Sequence, residues 1–558
     1  MPKFIKLLFF VSTLFFLIVA ITPFFLDKEK IVSYVEDKVR NEYEIDLTFD
    51  KNVNVNFIPY PTLNIFSVKY LDKNKKIEVL ASKINITISW RSILNFIPEV
   101  NSLEVFSPIV KFYGDSNNFS NNNLRINVNN SNVIPVEKLK SFLNKFGVIK
   151  INDGVLNFRS DSVENVDIIL KSEGNIKFNG NFDFSKLKSR IIFDFTEDIS
   201  NSFKFIIQQK INQRNKIDYK GKLSISDNNI FINGKAFSSF LNLDEIFPNI
   251  AQSNLIKNKI RHYVNATNAK NLINLDFEIE KINFFKSNFN FTKFNLNFFE
   301  NKIYIKNFVS NFEKSPISGF LNVNLRKKAL DGKLTVKKFY IKKDYFGSTK
   351  IDFYDGYANC FADFKLDFKS NDFVKLTNNL RSKGKCNIGK IKITGVDISK
   401  IASNVDKVDN LKSLIDIINK RNFGKESNLN AIKMVFNTRN GLFNIDSLKA
   451  YHDNLNVDSS GRYNIVKNNL LLDTKSYFKT KKYKDLPALG IKIRGPLDDT
   501  KISYDFEDLK QKLFNEGVKK ILKTKKSIIV DPDTIKQFFG DELKKEFNPK
   551  KIIDLFSN

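Results

Sequence analysis

Apolar and polar residues alternate with a period of two along most of the chain. Val53, Val55 and Phe57 alternate with Asn52, Asn54 and Asn56, and Ile84, Ile86, Ile88 and Trp90 alternate with Asn85, Thr87 and Ser89. The cleanest run sets Ile273, Leu275, Phe277 and Ile279 against Asn274, Asp276, Glu278 and Glu280, and Leu321, Val323 and Leu325 repeat the pattern. In an extended strand residues i and i+2 share a face, so each run predicts a strand with one apolar and one wetted side. Neighbouring runs then predict an antiparallel sheet that is apolar on one face throughout.

Turn chemistry punctuates the pattern. Asn152-Asp153-Gly154, Asn233-Gly234, Leu330-Asp331-Gly332 and Asn440-Gly441 stand between alternating stretches and predict hairpin turns. Helical periodicity is sparse. It predicts helices over 30–40, 136–146 and 398–418, the last capped by Asp397, and two terminal helices over 509–522 and 534–547. The Asn- and Ser-rich stretch 115–132 reads as a loop.

One segment breaks the style of the whole. Leu7 to Leu26 is a run of twenty residues without charge, preceded by Lys3 and Lys6. As a helix it would be roughly 30 Å long, the thickness of a bilayer's hydrocarbon core. It is longer than a usual signal-peptide core, and no small-x-small cleavage site follows, so it reads as an uncleaved transmembrane anchor. The lysines on its N-terminal side predict a cytoplasmic N-terminus and an exported body.

Composition narrows the class. With 42% hydrophobic and 27% charged residues, the 558-residue chain is globular. The net charge of +29 comes from lysines dispersed through strands and loops, in a sequence rich in Lys, Asn, Ile and Phe. AT-rich codon usage accounts for that bias, and attraction to anionic headgroups is the functional alternative. Nucleic acid is not an expected partner for an exported chain. Cys360 and Cys386 are the only cysteines, 26 residues apart, and are expected to be unpaired or incidentally paired.

Catalytic signatures are lacking: there is no H-E-x-x-H, G-x-S-x-G or paired C-x-x-C. His262 and His452 lie 190 residues apart. Gly384 to Lys390 fits G-x-x-x-x-G-K, but Ile391 replaces the hydroxyl residue and the flanking residues alternate like a strand, so chance explains it. No catalytic, metal or cofactor residues are expected. Lys519, Lys520 and Lys523 on the first terminal helix are candidates for contact with an anionic membrane surface.

Two stacked sheets in a sandwich, or one sheet whose apolar face stays open to lipid, would both satisfy the alternation. A resemblance separates them. The anchor and short helix, Phe57-Ile58-Pro59-Tyr60-Pro61, the strand Ala81 to Ile86 and Ser107-Pro108-Ile109-Val110 together resemble the opening module of the AsmA family, inner-membrane proteins with large periplasmic β-rich bodies. Gly395-Val396-Asp397-Ile398, Asn440 to Ile445, Ser460-Gly461-Arg462-Tyr463 and Leu489 to Leu497 resemble its closing module. Tyr43-Glu44 departs from the glycine often found before the family's first strand.

The resemblance implies a mainly β fold: a transmembrane helix, then an elongated, curled antiparallel sheet with an apolar groove and a few short helices. It implies a non-enzymatic protein of the inner membrane with a periplasmic body. Such a protein binds phospholipid and supports lipid transport and outer-membrane biogenesis. An assembly factor for outer-membrane proteins is the alternative, which makes envelope assembly proteins further candidate partners. The expected divisions are 1–27 anchor, 28–135 opening module, 136–380 central groove region, 381–505 closing module and 506–558 terminal helices. Candidate groove residues are Ile84, Ile86, Ile88, Ile273, Leu275, Phe277, Ile279, Leu321, Val323 and Leu325.

Overall fold

The computed structural model describes residues 47–112, 146–246, 272–343, 353–406 and 426–505 apart from short internal breaks, with a few helical residues outside these spans. The segment Leu7 to Leu26, the loop 115–132, His262 and Lys519, Lys520 and Lys523 lie outside the described residues. Among the described residues no helix is long and apolar enough to cross a membrane. The chain forms two compact units, Met1–Lys306 and Asn307–Asn558.

Both units are built mainly of strands. In the first, Val53–Asn56, Thr62–Leu71, Ile77–Ile88 and Val100–Phe106 pair in sequence order, all antiparallel. From Val148–Phe158 the chain continues through Asp161–Glu173, Asn175–Phe184, Ser189–Ile199, Ser202–Lys210, Lys216–Ser226 and Asn229–Ser238, again antiparallel. Leu272–Phe284 and Ser287–Phe299 follow as a hairpin, and the strand Lys302–Phe312 comes after them.

The expectation of a wholly antiparallel sheet is corrected at two places. Val100–Phe106 and Ile109–Phe112 run parallel to Val148–Phe158, and Asn229–Ser238 and Leu241–Asn242 run parallel to Leu272–Phe284. A parallel pair cannot be joined by a hairpin, so each join needs a crossover. The first crossover contains helical residues Lys140, Leu143 and Phe146, and the second contains the helix Leu243–Ile246. Alternation reports which face a residue occupies and is silent about strand direction.

Three of the four expected turns are strand interior. Asn233-Gly234 lies within Asn229–Ser238, and Leu330 to Gly332 within Ala329–Ile341. Asn152 to Gly154 lies within Val148–Phe158, where Asp153 has φ 53° and the register shifts on either side of Gly154, a bulge. Only Asn440-Gly441, with φ 54° and 71°, joins two strands, Ala431–Arg439 and Leu442–His452. Close approach, not turning, explains glycine within the strands. A Cβ on Gly221 would lie 2.9 Å from the ring of Phe205, its partner on the next strand, and 2.7 Å from the backbone of Gly234.

The second unit is antiparallel from Ser315–Asn324 through Ala329–Ile341, Gly356–Asp367, Arg381–Ile388 and Ala431–Arg439 to Leu442–His452. It then continues through Leu455–Asn464, Asn469–Phe478 and Leu489–Gly495 to Lys501–Asp505. Phe353–Tyr354, Ile391–Thr394 and Glu426–Leu429 form a separate three-stranded sheet. The helix Ile398–Asp406 starts where expected, Asp397 accepting from the Lys400 N–H at 2.9 Å, and its continuation to 418 lies outside the described residues. A helix not expected from sequence, Phe373–Asn379, is capped by Asp372. The three-stranded sheet and the first of these helices cover part of the main strands. Ile391, Ile398 and Leu429 from the covering layer bury against Ile341, Ala358, Ile432, Ala450 and Leu455.

Candidate functional site

Pairing registers in the first unit turn the period-two alternation into continuous rows. One row runs across thirteen strands as Val55, Leu63, Ile86, Leu103, Ile149, Leu170, Phe178, Phe195, Phe205, Gly221, Gly234, Leu275 and Leu296. The row beside it reads Val53, Ile65, Ile84, Val105, Ile151, Ile168, Gly180, Phe193, Ile207, Tyr219, Ala236, Phe277 and Phe294. The Tyr219 hydroxyl is the one polar side-chain group in both rows. At about 4.8 Å per strand such a row is on the order of 60 Å long.

The opposite face is of different character. Between these rows it presents Asn54, Asn64, Asn85, Glu104, Lys150, Ile169, Asn179, Asp194, Ile206, Lys220, Lys235, Asp276 and Asn295. Cross-strand polar contacts link several of them, among them Lys150 to Glu104 at 2.6 Å and Asn295 to Asp276 at 2.8 Å.

Most side chains of the apolar rows are only half-buried. Val53, Ile65, Phe193, Phe205 and Ala236 are buried, whereas Ile86, Leu103, Ile151, Leu170, Phe178, Leu275, Phe277 and Leu296 keep part of their surface accessible. Side chains within the face pack on one another. The rings of Phe178, Phe193, Phe195 and Phe205 lie 4.8 to 6.0 Å apart in successive contacts. Phe277 stacks on Phe294 at 4.7 Å and meets the edge of Tyr219 at 6.4 Å. The Tyr219 hydroxyl donates to Gln209 Oε1 at 3.3 Å, and burial pushes its pKa up to about 12.

One stretch of this face is covered. Leu143, fully buried, sits on Ile176 and Phe203, with Ile149, Leu170, Phe195 and Leu223 around them. Glu197 is in phase with Phe193 and Phe195 and so projects on the apolar side, where it is 6% exposed. Its carboxylate accepts from the Ile176 backbone N–H at 2.9 Å and pairs with Lys140 at 3.4 Å. Lys140 and Leu143 thus hold the first crossover on the sheet by one charged and one apolar contact.

The sequence-derived candidates separate by unit. Ile84, Ile86, Leu275 and Phe277 fall in the two long rows. Ile273 belongs to the next row, opposite Phe298, and Ile88 pairs with Val100. Ile279 is buried, between Ser238 and Thr292. Leu321 and Val323 lie in the second unit, opposite Gly332 and Leu330, and Leu325 follows the strand Ser315–Asn324. The phenylalanine cluster and Glu197 were not among the candidates. Alternation marks Ile191, Phe193 and Phe195 as one side of a strand, and Glu197 as a charge in phase with that side.

The two rows offer dispersion contact and exclusion of water, and the ion pair on this side, Glu197 with Lys140, ties down the crossover. Among the described residues no group of His, Cys, Asp and Glu could hold a metal ion. Gly384 to Ile388 of the phosphate-loop near-match are part of the strand Arg381–Ile388. His452 is buried at a strand end, its Nδ1 accepting from the Asn454 N–H at 3.0 Å. Comparison of the chain with protein-family profiles, curated proteins and solved structures gives no match.

Proposed function

We propose that the first unit binds phospholipid acyl chains along its two apolar rows, as a non-enzymatic lipid-transfer protein of the AsmA type. The observation that supports this reading is the rows themselves: thirteen strands in register, one hydroxyl among their side chains, and most positions half-exposed. Acyl chains lying there leave water, at roughly 0.8 kcal/mol per methylene, while headgroups remain hydrated. Movement along the rows then requires no desolvation of phosphate.

The reading places Leu7 to Leu26 in the inner membrane as a single anchor, with the N-terminus cytoplasmic and both units in the periplasm. The protein's role there is lipid transport in support of outer-membrane biogenesis. The test is native mass spectrometry with lipid extraction on residues 28–558 produced in a bacterial periplasm. Several bound phospholipids are expected for the wild type and none for Phe277→Glu, with unchanged circular dichroism. A folded, lipid-free wild type would overturn the reading and favour an assembly factor that offers sheet edges to outer-membrane strands.

A further inference from the structure

The two cysteines of this 558-residue chain occupy directly opposed positions on adjacent antiparallel strands, Gly356–Asp367 and Arg381–Ile388, and are joined as a disulfide. Their Cα atoms are 4.1 Å apart. Both project to the apolar side of the second unit, where Cys360 packs against its buried core and Cys386 is opposite Met434.

The strand Arg381–Ile388 is the place where such a bond has most to do. Its apolar side consists of Ser382, Gly384, Cys386 and Ile388, little for a neighbour to grip. Register in a sheet is set by the apolar pattern, and strands with small or polar inner faces are prone to slip. A two-residue slip against Gly356–Asp367 would set Cys386 opposite Ala358 or Ala362, and Gly384 opposite Cys360 or Phe364. The one large apolar side chain that would move is Ile388, from opposite Ala358 to opposite Gly356 or Cys360. On its other side the strand is held by Ser382 Oγ to Thr438 Oγ1 at 2.8 Å and by the Phe436 ring against Gly384. Toward Gly356–Asp367 a slip would lose the Ile388–Ala358 pairing and would have to break the covalent bond.

We propose that Cys360 and Cys386 are an oxidative register pin, formed as the second unit folds in a disulfide-forming compartment. The chemistry is thiol–disulfide exchange with a disulfide-bearing oxidant. One cysteine thiolate attacks the oxidant and makes a mixed disulfide. The second thiolate displaces it, and the oxidant leaves with two electrons and two protons as a dithiol. A reducing cytosol would keep both thiols free, so the bond also locates the place of folding. This inference is independent of the lipid reading.

The test is on the full chain, recovered from cells with thiols alkylated at harvest. Cys360 and Cys386 are expected to resist alkylation until reductant is added, with their peptides recovered joined. Alkylation of both without reductant would overturn the proposal. Reduced wild type, Cys360→Ser and Cys386→Ser should each melt about 5–10 °C lower in the second unit. Amide protection over Arg381–Ile388 should fall at least tenfold, with protection over Leu272–Phe284 unchanged. Equal protection of the oxidised and reduced chains would remove the register role.

Discussion

The two units use the same alternating strands and finish them differently. In the first, two apolar rows run without a break over thirteen strands, and among the described residues Leu143 marks a buried patch contributed by a crossover. In the second, the corresponding face is interrupted by hydroxyl pairs, Ser382 with Thr438 and Ser459 with Thr474, each at 2.8 Å. Part of that face also lies beneath a second layer carrying Ile391, Ile398 and Leu429. A closed core needs partners of its own size from elsewhere in the chain, whereas an open face needs only continuity. Continuity is the property that a bound alkyl chain would use, so the first unit is where a ligand is to be sought.

Charge placed in each unit should expose this difference most strongly. Ile391→Asp, 2% exposed in the closed core of the second unit, should cost more than about 4 kcal/mol and unfold that unit. Leu275→Asp, half-exposed in the first, should cost only about 1–2 kcal/mol, since water still reaches the new carboxylate. Denaturant unfolding followed by hydrogen exchange in each unit reads both. Equal costs would mean that the first unit's face is closed as well.

A smaller effect concerns the patch that Leu143 covers. Leu143→Ala should cost about 3 kcal/mol, as in a true core, whereas Leu296→Ala in the same unit should cost about 1 kcal/mol. The same unfolding measurement decides it, and matching values would show that the crossover does not seal the sheet.

The smallest effect is on pH. Burial holds His452 below its ordinary pKa; Asp453 works against that shift and Lys479 adds to it. A histidine that binds its proton more weakly folded than unfolded leaves stability at its full value above about pH 6.5. Stability then falls as pH drops through the folded pKa. His452→Asn should flatten that decline in the second unit and leave the first unchanged, as read by urea midpoints between pH 5 and 8.

Residue by residue, the strands were largely legible. Ile273 to Ile279 sits on the expected side of a strand, because the pleat fixes side-chain direction with no help from distant residues. Turns were not. Asn233-Gly234 has turn composition yet lies mid-strand, where Gly234 faces Gly221 beside the ring of Phe205. That use of glycine depends on which strand is the neighbour. The candidate residues suffered in the same way: Ile84 and Phe277 share a row although 193 positions apart, whereas Leu321, nearer to Phe277 in sequence, belongs to the other unit.

What the sequence by itself determined is local. Period two made strands with one apolar side, and Asp397 began a helix where a cap was expected. Partner, direction and cover were decided only by tertiary structure. The crossovers set Val100–Phe106 parallel to Val148–Phe158, a separate sheet sealed part of the second unit, and Cys360 met Cys386. The reason is physical: side-chain direction is set within a residue or two, whereas pairing and burial are settled by competition among segments far apart in the chain.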